Sequence, residues 1–130
     1  VFDADFYTAE TVKVRGYAEH LRRALDILIN NSVDAVENSP KKNITIETRQ
    51  DPLNDRVEIR VTDTGGGIPE EIRAKLIRQP ILKKPGERGS GIGLYLAGII
   101  FSMHQGSVEV EKTGPTGTSM LIRIPIEKFA

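Results

Sequence analysis

Two glycine-rich stretches hold the residues whose types and spacing could do chemistry: Asp63-Thr64-Gly65-Gly66-Gly67-Ile68-Pro69 and Gly89-Ser90-Gly91-Ile92-Gly93-Leu94. The first closes a run, residues 57–63, in which Val57, Ile59, Val61 and Asp63 share one face of a period-2 strand. A carboxylate therefore stands in phase with residues bound for the core, and no lysine or arginine precedes it on that face. An ionised Asp there is costly unless something pairs with it. Two readings are open: a donor on a ligand is the missing partner, or Asp63 opens an Asx-type turn and caps the backbone of its own glycines. The second stretch runs into a helix start, where free backbone N–H groups and the positive end of the dipole make a phosphate site. It is neither of two familiar phosphate loops. A Walker A loop needs Gly-Lys-Ser/Thr, and the dinucleotide fingerprint needs its third glycine where Leu94 stands.

Two further polar residues fall in inward phase. Asn31 lies three residues after Leu28 and four before Ala35, so it points toward the packed side of a helix, with Ile27 and Asp34 on the same edge. It is either an amide hydrogen-bonded within the core or a ligand. Magnesium bound to a nucleotide takes few protein ligands, so one helix-borne Asn31 would suffice. Thr118 shares a strand face with Met120, Ile122 and Ile124, and its hydroxyl serves either the adjoining turn or the site. If Asp63 accepts the exocyclic amine of adenine, guanine is rejected, because its carbonyl oxygen would face the carboxylate.

The elements that must hold these residues are legible in outline. From Tyr17, the residues Leu21, Ala24, Leu25, Leu28, Ser32, Ala35 and Val36 recur at three- and four-residue steps, predicting an amphipathic helix that stops before Pro40, near Asn38-Ser39. Ahead of it, residues 1–15 read as one or two short strands. Ile44, Ile46 and Thr48 mark a half-buried strand, and Pro52-Leu53-Asn54-Asp55 turns it into the strand that ends at Asp63. Pro69 suits a first helical position with Glu70 and Glu71 behind it, and that helix ends by Pro80. Residues 81–88 have no period and read as an exposed, mobile lid whose Lys83, Lys84 and Arg88 are solvated. Residues 91–103 are apolar almost all round, which predicts a buried helix. Two closing strands follow, one through Val108 and Val110 and one through Thr118 to Ile124, joined by a Gly114-Pro115-Thr116-Gly117 turn. The order βαββααββ predicts an α+β, two-layer arrangement with helices over one face of a mixed sheet.

Composition narrows the function. With 130 residues, 38% hydrophobic and 28% charged, residues 1–130 fit one globular domain. The absence of cysteine excludes disulfides, thiolate catalysis and cysteine zinc sites, and His20 and His104 are too few for a histidine metal cluster. Eighteen acids balance eighteen bases, so bulk charge implies neither nucleic acid nor an anionic membrane as partner. No apolar run approaches the roughly 20 residues of a membrane span. The chain opens on valine and is expected to be a fragment of a larger protein.

Taken together, the sequence resembles the ATP-binding domain of the histidine-kinase, gyrase, heat-shock chaperone and mismatch-repair superfamily, and most of all the catalytic domain of two-component sensor histidine kinases. The resemblance covers residues 15–125. It rests on an asparagine box, Leu28-Ile29-Asn30-Asn31-Ser32-Val33-Asp34-Ala35, a first glycine box, Asp63-x-Gly65-x-Gly67, and a second, Gly89-Ser90-Gly91-Ile92-Gly93-Leu94. His104-Gln105-Gly106 resembles the family's His-Gly-Gly, and Gly117-Thr118 its closing Gly-Thr. The resemblance implies a Bergerat-type α/β sandwich, its mixed, mostly antiparallel sheet covered on one face by three helices, with a short ATP lid. It implies ATP and Mg2+ as ligands: Asn31 on the metal, Asp63 on the adenine amine beside Gly65, Gly67 and Ile68, and Thr118 supporting adenine through water. Gly89, Ser90, Gly91, Ile92, Gly93 and Leu94 would cradle the phosphates, with Lys84 reaching toward them. Asp34 either binds nucleotide through water or takes no part.

Three departures qualify this. Ile27 stands where hydrolysing relatives have their catalytic Glu, Asp34 stands where many sensor kinases have a base, and Ile81-Leu82 replaces the phenylalanine-rich lid box. With no general base for water, the expected chemistry is phosphoryl transfer to an outside histidine on a helical dimerisation domain, then to an aspartate of a response regulator. The resemblance further implies a homodimeric parent, a cytoplasmic location for this domain whether or not the parent is membrane-anchored, and little transfer by this fragment alone. Two alternatives stay open at this stage, a protein-serine kinase of the anti-sigma-factor or mitochondrial dehydrogenase-kinase type and a non-catalytic nucleotide-sensing module.

Overall fold

Isoleucine, valine and threonine alternate with charged residues through residues 43–63 and 107–125, and both segments fold as antiparallel hairpins. A computed structural model describes residues 13–73, 75–78 and 92–126, together with the backbone of residues 3–7. The elements are β1 (Asp3–Tyr7), α1 (Ala18–Val36), β2 (Asn43–Asp51), β3 (Arg56–Asp63), α2 (Glu70–Arg73), α3 (Gly93–Met103), β4 (Ser107–Gly114) and β5 (Gly117–Pro125). The sheet runs β1-β2-β3-β5-β4, with β1 parallel to β2 and the other pairs antiparallel. The expected α+β two-layer sandwich is therefore present, in the expected element order. Among the described residues no helix is long and apolar enough to cross a membrane.

The core lies between the sheet and two of the helices. Ala24, Leu28, Ser32 and Val36 form the buried stripe of α1 at four-residue steps. Ala97, Ile100 and Phe101 are its counterpart on α3. One cluster joins these helices to Val108, Met120, Ile122 and Ile124, and a second joins Val36 to Ile44, Ile46 and Val61.

Two helices depart from expectation. The helix expected from Pro69 to Pro80 is a single turn, α2, with no buried residue, followed by three-residue turns from Ile72 and Lys75. So short a segment with few apolar anchors does not repay helix nucleation, and the cover of the sheet rests on α1 and α3. Helix α3 is not buried all round either. It packs on α1 and β4, while Ile99 and Met103 are 42% and 49% exposed. Uniform apolarity erases the periodic signal that would have told its faces apart.

Neither α1 nor α3 ends on a left-handed glycine. After α1, Lys42 Nζ donates to the carbonyls of Val36, Glu37 and Ser39 at 3.3, 2.6 and 3.0 Å. After α3, Gly106 N–H donates to Phe101 O and Gln105 N–H to Ser102 O, a Schellman ending with Gln105 at φ 57°. Glutamine in that left-handed position is strained where glycine is not. Gln105→Gly is expected to raise stability by about 0.5–1 kcal/mol, visible as a melting temperature a few degrees higher.

The face of the sheet away from α1 and α3 is tiled with charge. Glu58 is buried there beside Arg49 (2.6 Å), with Arg123 and Arg56 at 3.7 and 3.8 Å. Arg60 pairs with Glu111 through two bonds, and Arg123 with Glu109 at 2.8 Å. Leu121, in register with Arg60 and Glu109, is buried on this face.

Candidate functional site

Asp63 ends β3 with Ile44 and Thr118 as its register neighbours, on the core-facing side, and only 6% of it is exposed. Its Oδ1 accepts the N–H of Gly65 at 2.9 Å, and the Ser32 hydroxyl and the Thr118 N–H face the carboxylate as further donors that favour its charged form. The Asx-type turn is thus real, and it does not exhaust the residue. A carboxylate offers about four acceptor directions, so three donors leave one open. Burial, with no cationic partner among the described residues, pushes its carboxyl above the usual value of 3.8, against the lowering effect of those donors.

The loop after Asp63 is clamped on both sides. A Cβ on Gly65 would stand 2.6 Å from the Ala35 carbonyl, so the turn lies directly against the end of α1. Gly67 has φ 87°, and a Cβ there would meet Gly114 O at 2.4 Å. Ile68 N–H donates to Thr113 Oγ1 at 2.9 Å, and that hydroxyl is bonded to Thr118 Oγ1 at 2.8 Å. Thr118 therefore contributes twice, its N–H to Asp63 and its hydroxyl to the loop anchor.

The other expected residues divide. Asn31 is exposed, as is Asp34, rather than pointing into packing. Asn31 comes one position before Ser32 of the buried stripe, about 100° around the helix, which sets it on the rim. Ile27, one turn earlier, is partly buried against Gly93, where a Cβ would lie 3.1 Å from Ile27 Cγ2. Ile92 is exposed and Leu94 partly buried at the start of α3. Lys84, Gly89, Ser90 and Gly91, with the expected lid, lie outside the described residues.

Two contributors were missed from sequence. Ser32 was read as part of an apolar stripe, though a hydroxyl at that position needs a buried partner. Thr113 could have been found by counting outward from the Pro115-Thr116 turn, which pairs Gly114 with Gly117 and Thr113 with Thr118. The alternation starting at Val108 hides it, because the register shifts between Val110 and Lys112.

Among the described residues no group of three His, Cys, Asp or Glu side chains could hold a metal by itself. The exposed amide of Asn31 fits a hard cation that arrives with most of its oxygen ligands already supplied. The open acceptor on Asp63 and the side-chain-free Gly65 and Gly67 fit a flat heterocycle with an exocyclic amine.

A family model described as histidine kinase-, DNA gyrase B- and HSP90-like ATPase matches residues 16–128. The chain belongs to this family. As an ATPase-family domain of the histidine-kinase type, it is an ATP-binding domain. It is 38% identical over 98 residues to a probable C4-dicarboxylate sensor kinase of Halalkalibacterium halodurans, covering 75% of this chain and 18% of that protein. In structure it is similar to the mycobacterial sensor histidine kinase MprB, with TM-score 0.78 at 22% identity over 98% of this chain and 84% of that one. It is also similar to full-length ShkA, solved in complex with AMPPNP, with TM-score 0.76 at 20% identity over 99% of this chain and 26% of that one. These family domains share the fold.

Proposed function

We propose that this chain holds Mg-ATP as the catalytic domain of a sensor histidine kinase and, in a longer parent, donates the γ-phosphoryl group to a histidine on an adjacent helical domain. The observation that carries this reading is Asp63, a buried carboxylate met by neutral donors and, among the described residues, by no cation, so that an amine can complete its acceptor set. Bound Mg-ATP would supply an electrophilic γ-phosphoryl group and a cation to neutralise its charge. Asp63 selects adenine, and Gly65, Gly67 and Ile68 form the wall beside it. Thr118 and Thr113 hold that wall in place. Asn31 offers its amide oxygen to the metal, and Asp34 stands one turn further along the same rim of α1. Gly93 and Leu94 open α3, and the backbone N–H groups of the preceding Gly89, Ser90, Gly91 and Ile92 would cradle the phosphates with Lys84.

Ile27 decides between hydrolysis and transfer. An aliphatic side chain packed toward Gly93 leaves that position of α1 without a base to activate water. The nucleophile then comes from outside, and the domain contributes positioning and charge neutralisation. The receiver domain of a response regulator is the next acceptor, and the parent works as a homodimer. ShkA, of the same fold, was solved with an adenine nucleotide, and the curated relative spans a sensor kinase of which this chain matches a small part.

The test uses both the 130-residue chain and its parent. The chain alone is expected to bind Mg-ATP by calorimetry and to hydrolyse it no faster than buffer. The parent, incubated with γ-labelled ATP, is expected to acquire a phosphoryl linkage labile in acid and stable in base. An acid-stable linkage would replace this reading with a serine kinase, and absence of nucleotide binding would overturn it.

A further inference from the structure

His104 is buried at the C-terminal end of α3, and both of its ring nitrogens are engaged. Nε2 accepts the backbone N–H of Tyr17 at 2.9 Å, across 87 residues of sequence. Nδ1 therefore carries the proton and donates to Ile100 O at 2.7 Å. Tyr17 is the N-cap of α1, and its own side chain makes no capping bond. One imidazole thus serves the start of one helix and the last turn of the other. The approach is close enough that a Cβ on Gly16 would lie 2.1 and 2.5 Å from the His104 ring.

The two helices so joined run antiparallel. The start of α1 adjoins the end of α3, while further along α1, Ile27 meets Gly93 at the start of α3. Asn31 lies one turn beyond Ile27, so the residue assigned to the metal and the start of α3 at Gly93 stand at the end of the helix pair remote from His104. Between the ends the contact is apolar, through Ala24, Leu28, Ala97, Ile100 and Phe101. Apolar surfaces resist separation but are tolerant of sliding, whereas a hydrogen bond at fixed geometry is not.

We infer that His104 is a positioning residue that sets the axial register of α3 against α1, and thereby the spacing between Asn31 and the start of α3 at Gly93. This rests on the nucleotide reading of the site. The adenine end depends on the pairing of β3 with β5 and on the C-terminal half of α1 packed against it, contacts that do not pass through His104, so a change of register reaches the phosphate end and spares the adenine end.

The test is calorimetric binding of Mg-ATP and of adenosine to the 130-residue chain, at a temperature where circular dichroism shows each variant folded. In His104→Asn the amide nitrogen replaces Nδ1 and the bond to Tyr17 is lost. In His104→Gln the amide oxygen replaces Nε2 and can restore it. Gly16→Ala displaces the ring from the other side while leaving it intact. His104→Asn and Gly16→Ala are expected to weaken Mg-ATP about tenfold or more and adenosine less than about twofold, with His104→Gln recovering most of the loss. Equal weakening of both ligands, or no weakening in the folded variants, would overturn the inference. A wild-type chain that binds neither ligand would overturn the nucleotide reading and this inference with it.

Discussion

Asp63→Asn is expected to lower affinity for Mg-ATP by about 100-fold or more, to the limit of calorimetric detection. A hydrogen bond to a charged group is worth about 1.5–3 kcal/mol, and every 1.4 kcal/mol is tenfold in affinity. The loss is compounded because three donors already converge on the carboxylate. Asparagine has one acceptor oxygen and an amide that donates, so at least one N–H or O–H in the site faces another donor. Asp63→Glu keeps the charge but pushes it out of a site whose Gly65 wall cannot yield, and is expected to bind nearly as poorly. The same carboxylate sets a pH dependence. Its folded pKa is raised by burial, so as pH falls it becomes protonated earlier than an ordinary aspartate, and ATP affinity falls with it. Stability moves the other way. A carboxyl whose folded pKa exceeds its unfolded value is destabilising when ionised, and that cost is relieved as pH falls through the folded pKa toward 3.8. Wild type should therefore gain stability relative to Asp63→Asn over the interval in which it loses nucleotide.

Gly117→Ala should be the most damaging single methyl group in the described residues. Gly117 has φ 152°, and its Cβ would stand 2.1 Å from the carbonyl oxygen of Asp63, which is backbone and cannot rotate away. A strained conformation together with a forced shift of the β3–β5 pairing is expected to cost about 3 kcal/mol or more. Gly114 is its partner across the same turn, yet a Cβ there meets open space. Gly114→Ala should stay within about 0.5 kcal/mol of wild type. Urea midpoints of the two variants, measured side by side, distinguish a turn that needs one specific glycine from one that merely contains two. Where Gly117→Ala remains folded at low temperature, displaced Asp63 should still fail to bind adenine.

What could be read in the sequence follows from what repeats. Alternation placed Asp63 and Thr118 on the inner face, and the helical stripe placed Ser32 and Val36, because each periodicity records a burial constraint along one element. Asn31 was misplaced by the same logic. A stripe tells which side of a helix is packed, but the rim between packed and open is only one residue wide, and Asn31 falls there. The open edge of α3 was illegible because apolar residues occupy every side of it. The single turn of α2 was illegible because a proline and two glutamates mark where a helix starts and say nothing about what sustains it. The bonds from His104 to Tyr17 and from Thr113 to Ile68 join residues far apart in sequence, where local patterns carry no signal.

The charged back of the sheet has a bearing on how the chain finds its pairing during folding. A one-residue slip of a strand exchanges its faces and is rejected by the hydrophobic pattern, but a two-residue slip preserves that pattern. In native register Glu47 stands opposite Arg60 and Arg49 opposite Glu58. Sliding β2 by two residues in one direction sets Glu47 against Glu58, and in the other sets Arg49 against Arg60. Sliding β5 sets Arg60 against Arg123, or leaves Glu58 facing Leu121. The ion pairs thus act as a proofreading code for misalignments that burial alone would let pass, and Asp63 reaches its three donors only when the code is read correctly.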